Sequence, residues 1–188
     1  MRLFYAVEFD ESVKDELAKV QSILREKAQR ANFTRKENFH LTLRFMGEIE
    51  DANYIVLTKI QEEIASKYDP FLLELTKPGI FKRGNKFIVW WGICENEKLN
   101  MLQKSLEEEI RLNGFPAEYK TYNPHITLAR EFSSYENVKE ILGGLGSLSN
   151  TIYVGSISLM ESLHKDGKLT YLCRNKTKID TCGRHFNE

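Results

Sequence analysis

Two of the four histidines stand in the same setting, His40-Leu41-Thr42-Leu43 and His125-Ile126-Thr127-Leu128. Ten threonines and 21 leucines in 188 residues make an H-x-T-L match at any one histidine about 0.6% likely by composition. Two matches among four histidines is then roughly a 2-in-10,000 coincidence. Side chains alternate along a strand, so His40 and Thr42 share one face and Leu41 and Leu43 the other; the second copy repeats the pattern. Each segment thus offers an imidazole and a hydroxyl on one surface and anchors itself in a core on the reverse. Facing each other across a cleft, the two surfaces suit attack on a phosphate ester. A neutral imidazole can take the proton of a nucleophilic water while an imidazolium protonates the departing oxygen. The hydroxyls can hydrogen-bond the oxygens whose charge grows in the transition state. The two rings must differ in protonation state, so their environments should separate their pKa values. Neither histidine has an Asp or Glu at metal-site spacing, which points away from a zinc or two-metal hydrolase. His164 and His185 lack any such pattern and read as ordinary structural or surface residues.

The elements that must position these residues come in a repeated order. A strand at Leu3 to Phe9 precedes a helix with Val13, Leu17, Val20 and Leu24 on one face, opened by Asp10 or Ser12. A strand follows at Phe39 to Met46, then a helix capped by Asp51 that buries Leu57, Ile60 and Ile64. Strands at Phe71 to Leu75 and Phe87 to Ile93 are expected to flank turns at Lys77-Pro78-Gly79 and Arg83-Gly84-Asn85. Leu99, Leu102, Leu106 and Ile110 mark a third helix, Ile126 to Ala129 a strand, and Ser134 the cap of a short helix ended by Gly143-Gly144. Thr151 to Met160 and Lys168 to Arg174 close the fold as a hairpin around Asp166-Gly167, leaving a polar tail over 175–188. Strand, helix, H-x-T-L strand and helix occur twice, which predicts two related lobes in one α+β domain over 1–174.

Composition limits the partners. Hydrophobic residues are 41% and charged residues 29%, a globular balance. Lys plus Arg and Asp plus Glu are 27 each, with fifteen basic against fourteen acidic residues in 1–94 and twelve against thirteen in 95–188. No basic half exists to coat a nucleic-acid backbone, so any nucleic acid should be gripped at one or two phosphates. No apolar run reaches a membrane span and the N-terminus lacks a signal-peptide core, so a cytoplasmic protein without a membrane partner is expected. The three cysteines read as reduced thiols, and the C-x8-C-x2-H array of Cys173, Cys182 and His185 matches no familiar zinc spacing.

The stretches Phe39-His40-Leu41-Thr42-Leu43-Arg44-Phe45-Met46-Gly47-Glu48 and Pro124-His125-Ile126-Thr127-Leu128-Ala129-Arg130 resemble the two signatures of the 2H phosphoesterases. The nearest branch is the RNA 2′,3′-cyclic phosphodiesterases, also called 2′–5′ RNA ligases. Arg2 to Ala6, Phe87 to Gly92 and Ile157 to Ser162 also resemble that branch, so the likeness covers about 1–174. The resemblance implies a bilobal, pseudo-two-fold α+β fold, with antiparallel sheets lining a central groove and helices outside. It implies hydrolysis of an RNA 2′,3′-cyclic phosphate to a 2′-phosphate end with no metal or other cofactor. His40 is then the proton donor to the leaving 3′ oxygen, His125 the acceptor that activates water, and Thr42 and Thr127 hold phosphate oxygens. Attack by an RNA 5′-hydroxyl in place of water would form a 2′–5′ linkage without ATP.

Two arginines compete for the phosphate: Arg130 on the resemblance, and Arg44 on strand phase, since it alternates with His40 and Thr42. Arg130 is out of phase and reaches the groove only if its strand ends or bulges near Ala129. Phe45, Tyr122 and Phe132 are near enough to the motifs to stack on a base, against burial in the core as the plainer role. Rival readings are a cyclic phosphate of ADP-ribose or a 2′–5′ oligonucleotide as substrate, or an RNA-end-binding module without turnover. A monomer is expected.

Overall fold

The computed structural model describes residues 1–180. Nine strands form two antiparallel sheets: β1 Arg2–Glu8, β2 Arg30–Phe33, β3 His40–Glu48, β4 Phe71–Arg83, β5 Lys86–Ile93, β6 His125–Ser133, β7 Thr151–Val154, β8 Ser156–Lys165 and β9 Lys168–Lys178. Four helices cover them: α1 Glu11–Lys27, α2 Asp51–Ser66, α3 Glu97–Leu112 and α4 Val138–Gly143. One sheet has the order β3-β1-β8-β9 and the other β2-β6-β5-β4-β7. The repeat is therefore interlocked. β1 lies between β3 of its own half and β8 of the other, and β5 lies between its own β6 and β4 of the first half.

The apolar faces read from the sequence are the buried ones. Val13, Leu17, Val20 and Leu24 of α1, Leu57, Ile60 and Ile64 of α2, and Leu99, Leu102, Leu106 and Ile110 of α3 all join one continuous core between helices and sheets. Asp10 caps α1 by accepting from the Val13 N–H at 3.0 Å, and Asn96 caps α3 through the Leu99 N–H. β1 shows both roles of a strand. Leu3, Tyr5 and Val7 enter the helix-covered core, while Phe4 and Ala6 turn to the opposite face with Met160 and Tyr171.

Several boundaries differ from the sequence reading. Lys77-Pro78-Gly79 lies inside β4, not in a turn: Pro78 sits at a register shift past Glu74, the last residue paired with β7. The expected strand from Thr151 to Met160 breaks at Gly155, because β7 pairs with β4 in one sheet and β8 with β1 in the other. β2 carried no usable apolar pattern, and pairing with β6 makes it a strand. Asp51 lies in the first turn of α2 behind the cap position Glu50, and Asn137, not Ser134, caps α4. β9 runs past Arg174 to Lys178 and Ile179 is buried, so the expected tail from 175 is structured through 180. No helix among the described residues is long and apolar enough to cross a membrane.

Candidate active site

Both H-x-T-L segments open strands, β3 and β6, that approach each other from opposite sheets. His40 Nδ1 lies 2.7 Å from the Asn38 carbonyl, and His125 Nδ1 lies 2.7 Å from the Asn123 carbonyl. A carbonyl can only accept, so each Nδ1 carries its hydrogen and each Nε2 is left to give or take a proton. The pattern is thus N-x-H-x-T-L in both copies, and the shared asparagine was a visible but unread signal. Thr42 Oγ1 is 2.9 Å from His40 Nε2 and donates to that nitrogen when the ring is neutral. The Asn38 side chain is buried and joins β9, donating to the Leu169 carbonyl at 2.9 Å and accepting the Tyr171 N–H at 3.3 Å.

Aromatic rings enclose both imidazoles. His40 lies against Phe4 and edge-on to Tyr171, with centroids 4.9 and 5.1 Å apart. His125 lies edge-on to Phe81 at 5.0 Å and beside Trp90 at 6.0 Å. These four aromatics come from strands that only the sheet order brings to the motifs, so spacing in the sequence did not reveal them. Burial among them pushes His40 down to about 4; the Asn38 hydrogen bond opposes that, and the charges of Arg130 and His125 add to the lowering. Burial lowers His125 too, against its bond to Asn123 and helped by Arg130. Both rings are therefore neutral near pH 7.

A pair of equivalent bulges decides which arginine enters the groove. Thr127 pairs with Trp90 but Ala129 with Val89, so two steps on β6 oppose one on β5. Leu128 and Ala129 are consecutively buried, and Arg130 returns to the face of His125 and Thr127. Glu131, at φ 52°, carries the next irregularity. The Leu128 carbonyl at the bulge accepts from the buried Gln21 Nε2 at 2.8 Å and from the Thr34 N–H at 3.0 Å. On β3, Thr42 pairs with Ala6 but Arg44 with Tyr5, which is the same extra residue at Leu43. Strict alternation would send Arg44 into the groove. The bulge turns it to the helix side instead, where Nε meets Glu107 Oε2 of α3 at 2.6 Å and Nη2 donates to the Pro116 carbonyl at 2.6 Å. Phe45 then occupies the position equivalent to Arg130 and is 41% exposed, with the Arg2 guanidinium 5.0 Å from its centroid.

Two cavities meet at Thr42 and His125. The first, of about 280 Å³, is walled by His40, Thr42, His125, Thr127 and Arg130, with Phe33, Leu169 and Tyr171 as its apolar part. The second, of about 390 Å³, contains Arg44, Phe45, Phe81 and Tyr122, whose hydroxyl donates to the Thr42 carbonyl at 3.1 Å. Phe132 is fully buried in the core. Cys173 is an exposed thiol, and Cys182 and His185 lie outside the described residues. No three His, Cys, Asp or Glu side chains among the described residues converge as metal ligands.

The sequence matches the family described as LigT like Phosphoesterase over residues 7–91 and again over 92–170, one histidine motif in each. It is 29% identical over 171 residues to a protein named RNA 2′,3′-cyclic phosphodiesterase from Methanothermobacter thermautotrophicus, spanning 90% of this chain and 91% of that one. A protein of the same name from Archaeoglobus fulgidus is 31% identical, spanning 76% and 79%. A crystal structure from Thermus thermophilus covers 95% of this chain and 98% of its own with a TM-score of 0.80 at 24% identity. E. coli LigT complexed with 3′-AMP gives 0.77 at 21%, covering 95% and 97%; at these identities the two structures bear on the fold. With the family matched in both halves and the fold shared over 95% of its length, the chain belongs to the LigT-like phosphoesterases.

Proposed function

We propose that this protein hydrolyses RNA 2′,3′-cyclic phosphate ends to 2′-phosphate ends by acid–base catalysis between His40 and His125, without a metal. The observation that carries the reading is the pair of imidazoles on one cavity, each with Nδ1 tied to a backbone carbonyl and Nε2 as its only exchangeable nitrogen. The names of the relatives support the substrate class. The cyclic phosphate sits among Thr42, Thr127 and Arg130. His125 Nε2 takes the proton of the attacking water as its oxygen bonds to phosphorus. The P–O3′ bond breaks and O3′ takes the proton from His40 Nε2, leaving a 2′-phosphate and a 3′-hydroxyl. Solvent exchange then restores both rings. Arg130 and the two hydroxyls meet the growing charge on the non-bridging oxygens. With an RNA 5′-hydroxyl in place of water as the nucleophile, the same groups and the same loss of O3′ form a 2′–5′ linkage.

The test is incubation of a short RNA ending in a 2′,3′-cyclic phosphate in EDTA, with the end group identified. A 2′-phosphate product, reduced at least a hundredfold in both His40→Ala and His125→Ala, is the expected result. A 3′-phosphate product, or full activity in either variant, removes the assignment. Cyclic phosphates of ADP-ribose and 2′–5′ oligonucleotides assayed alongside decide among substrates of the same chemistry.

A further inference from the structure

The walls of the first cavity hold three cations, Arg35, Arg130 and Lys168, and no carboxylate at all. The second cavity differs in that Glu118 lines it and its Arg44 is paired with Glu107. In the first, Arg35 is paired with Glu37, which does not line the wall, and Arg130 and Lys168 have no ion pair among the described residues. In a chain with as many acids as bases, an all-basic cavity is a local arrangement. Arg130 sits beside the imidazoles, where its charge acts on both rings. Arg35 and Lys168 come from other elements, the segment after β2 and the first residue of β9. Arg35 Nη1 reaches Thr170 Oγ1 of β9 at 3.5 Å, so the segment and strand stand side by side.

The hairpin that presents Lys168 carries a second sign. Lys165 and Lys168 are directly paired across the Asp166-Gly167 turn, both are exposed, and neither has an ion-pair partner among the described residues. Like charges directly opposite on neighbouring strands are destabilising, and an anion between them reverses that sign. The hairpin of β4 and β5 has a comparable pair, Arg83 and Lys86, but there Lys86 is bound to Glu131 at 3.1 Å. The β8–β9 pair is left uncompensated beside an acid-free cavity.

We propose that Lys168, with Lys165 and Arg35, binds the phosphodiester on the 5′ side of the terminal nucleotide, making the protein selective for RNA ends over nucleoside 2′,3′-cyclic phosphates that lack a 5′-phosphate. This rests on the function proposed above, in which the cyclic phosphate lies at Arg130. A cavity of about 280 Å³ is at the small end of ligand sites and holds about one nucleotide. The next phosphate of an RNA must then leave through the wall, and His40, the donor to O3′, lines this cavity and not its neighbour. A strand end that meets two or three cations at its second phosphate needs no basic half elsewhere in the chain.

The test compares adenosine 2′,3′-cyclic phosphate with and without a 5′-phosphate, as kcat/KM at low and at moderate salt. Equilibrium binding of adenosine 2′-phosphate with and without a 5′-phosphate is measured in parallel. The intact protein is expected to prefer the 5′-phosphorylated compounds about tenfold at low salt, less as salt rises. Lys168→Glu removes that ratio, Lys168→Arg keeps it, and Arg83→Glu, with the same change in net charge, leaves it standing. Equal kcat/KM and equal binding for the two compounds, a ratio kept in Lys168→Glu, or a ratio lost equally in Arg83→Glu overturns the inference. Failure to hydrolyse either cyclic phosphate overturns the proposed function instead, and the binding ratio still decides the role of Lys168.

Discussion

Burial holds His40 at about 4 in the free protein, yet in the proton-donor role proposed for it the ring must carry its proton when the substrate reacts. At pH 7, about 3 units above that pKa, about one free molecule in a thousand has that proton. A phosphodiester anion about 4 Å from the ring interacts with the imidazolium by about 4 kcal/mol at an effective dielectric of about 20. An anion favours the charged ring, so its binding raises the pKa. At 1.36 kcal/mol per unit the rise is about 3 units, bringing bound His40 to about 7. The pH profiles of the two kinetic constants should therefore separate. His125 lies below its ordinary value and is neutral above about 6.5, so there only His40 controls the free protein. Log kcat/KM should fall about one unit per pH unit above 6.5, while kcat holds its level to about pH 7. Initial rates on a nucleoside 2′,3′-cyclic phosphate between pH 4.5 and 8.5 at constant ionic strength measure both. An alkaline limb of kcat at or below that of kcat/KM refutes the reasoning, as does an NMR titration placing free His40 at 6.5 or higher.

Further outcomes follow from single contacts. Arg130→Gln should lower kcat/KM roughly tenfold to a hundredfold through the lost charge-assisted bonds to phosphate, and should raise the pKa of free His40; an unmoved His40 resonance would show that Arg130 is elsewhere. Gln21→Leu leaves the Thr34 carbonyl without its 2.7 Å donor and takes one of two donors from the bulge carbonyl of Leu128; about 1–3 kcal/mol lost in urea unfolding, with a raised KM, is expected. His40 also makes stability depend on acid. Its folded pKa lies below the unfolded value of 6.5, so the unfolded chain binds more protons between 6.5 and 4. That contribution, about 3 kcal/mol, is present above pH 6.5 and is lost as pH falls through 4; a His40→Gln variant should show a flatter urea-midpoint profile over that range.

The local patterns carried a great deal. A period of 3.6 located the buried faces of α1, α2 and α3, because a helix buries one face whatever lies opposite. A period of two placed His40 with Thr42 and His125 with Thr127, and the doubled motif indicated two lobes and one cleft before any fold was known. What spacing could not carry was the order of strands and the register between them, which are contacts between residues far apart in the chain. Sheet order brought Phe4, Tyr171, Phe81 and Trp90 around the imidazoles and so set their low pKa values. Register inserted one extra residue at Leu43 and at Leu128, and a shift of one residue moves every later side chain to the opposite face. That is why Arg44, in phase by sequence, is bound to Glu107, and Arg130, out of phase, faces the groove. The sequence by itself determined which side chains could do the chemistry; only the tertiary structure decided which of the charges meet them, because a bulge is set by the strand alongside.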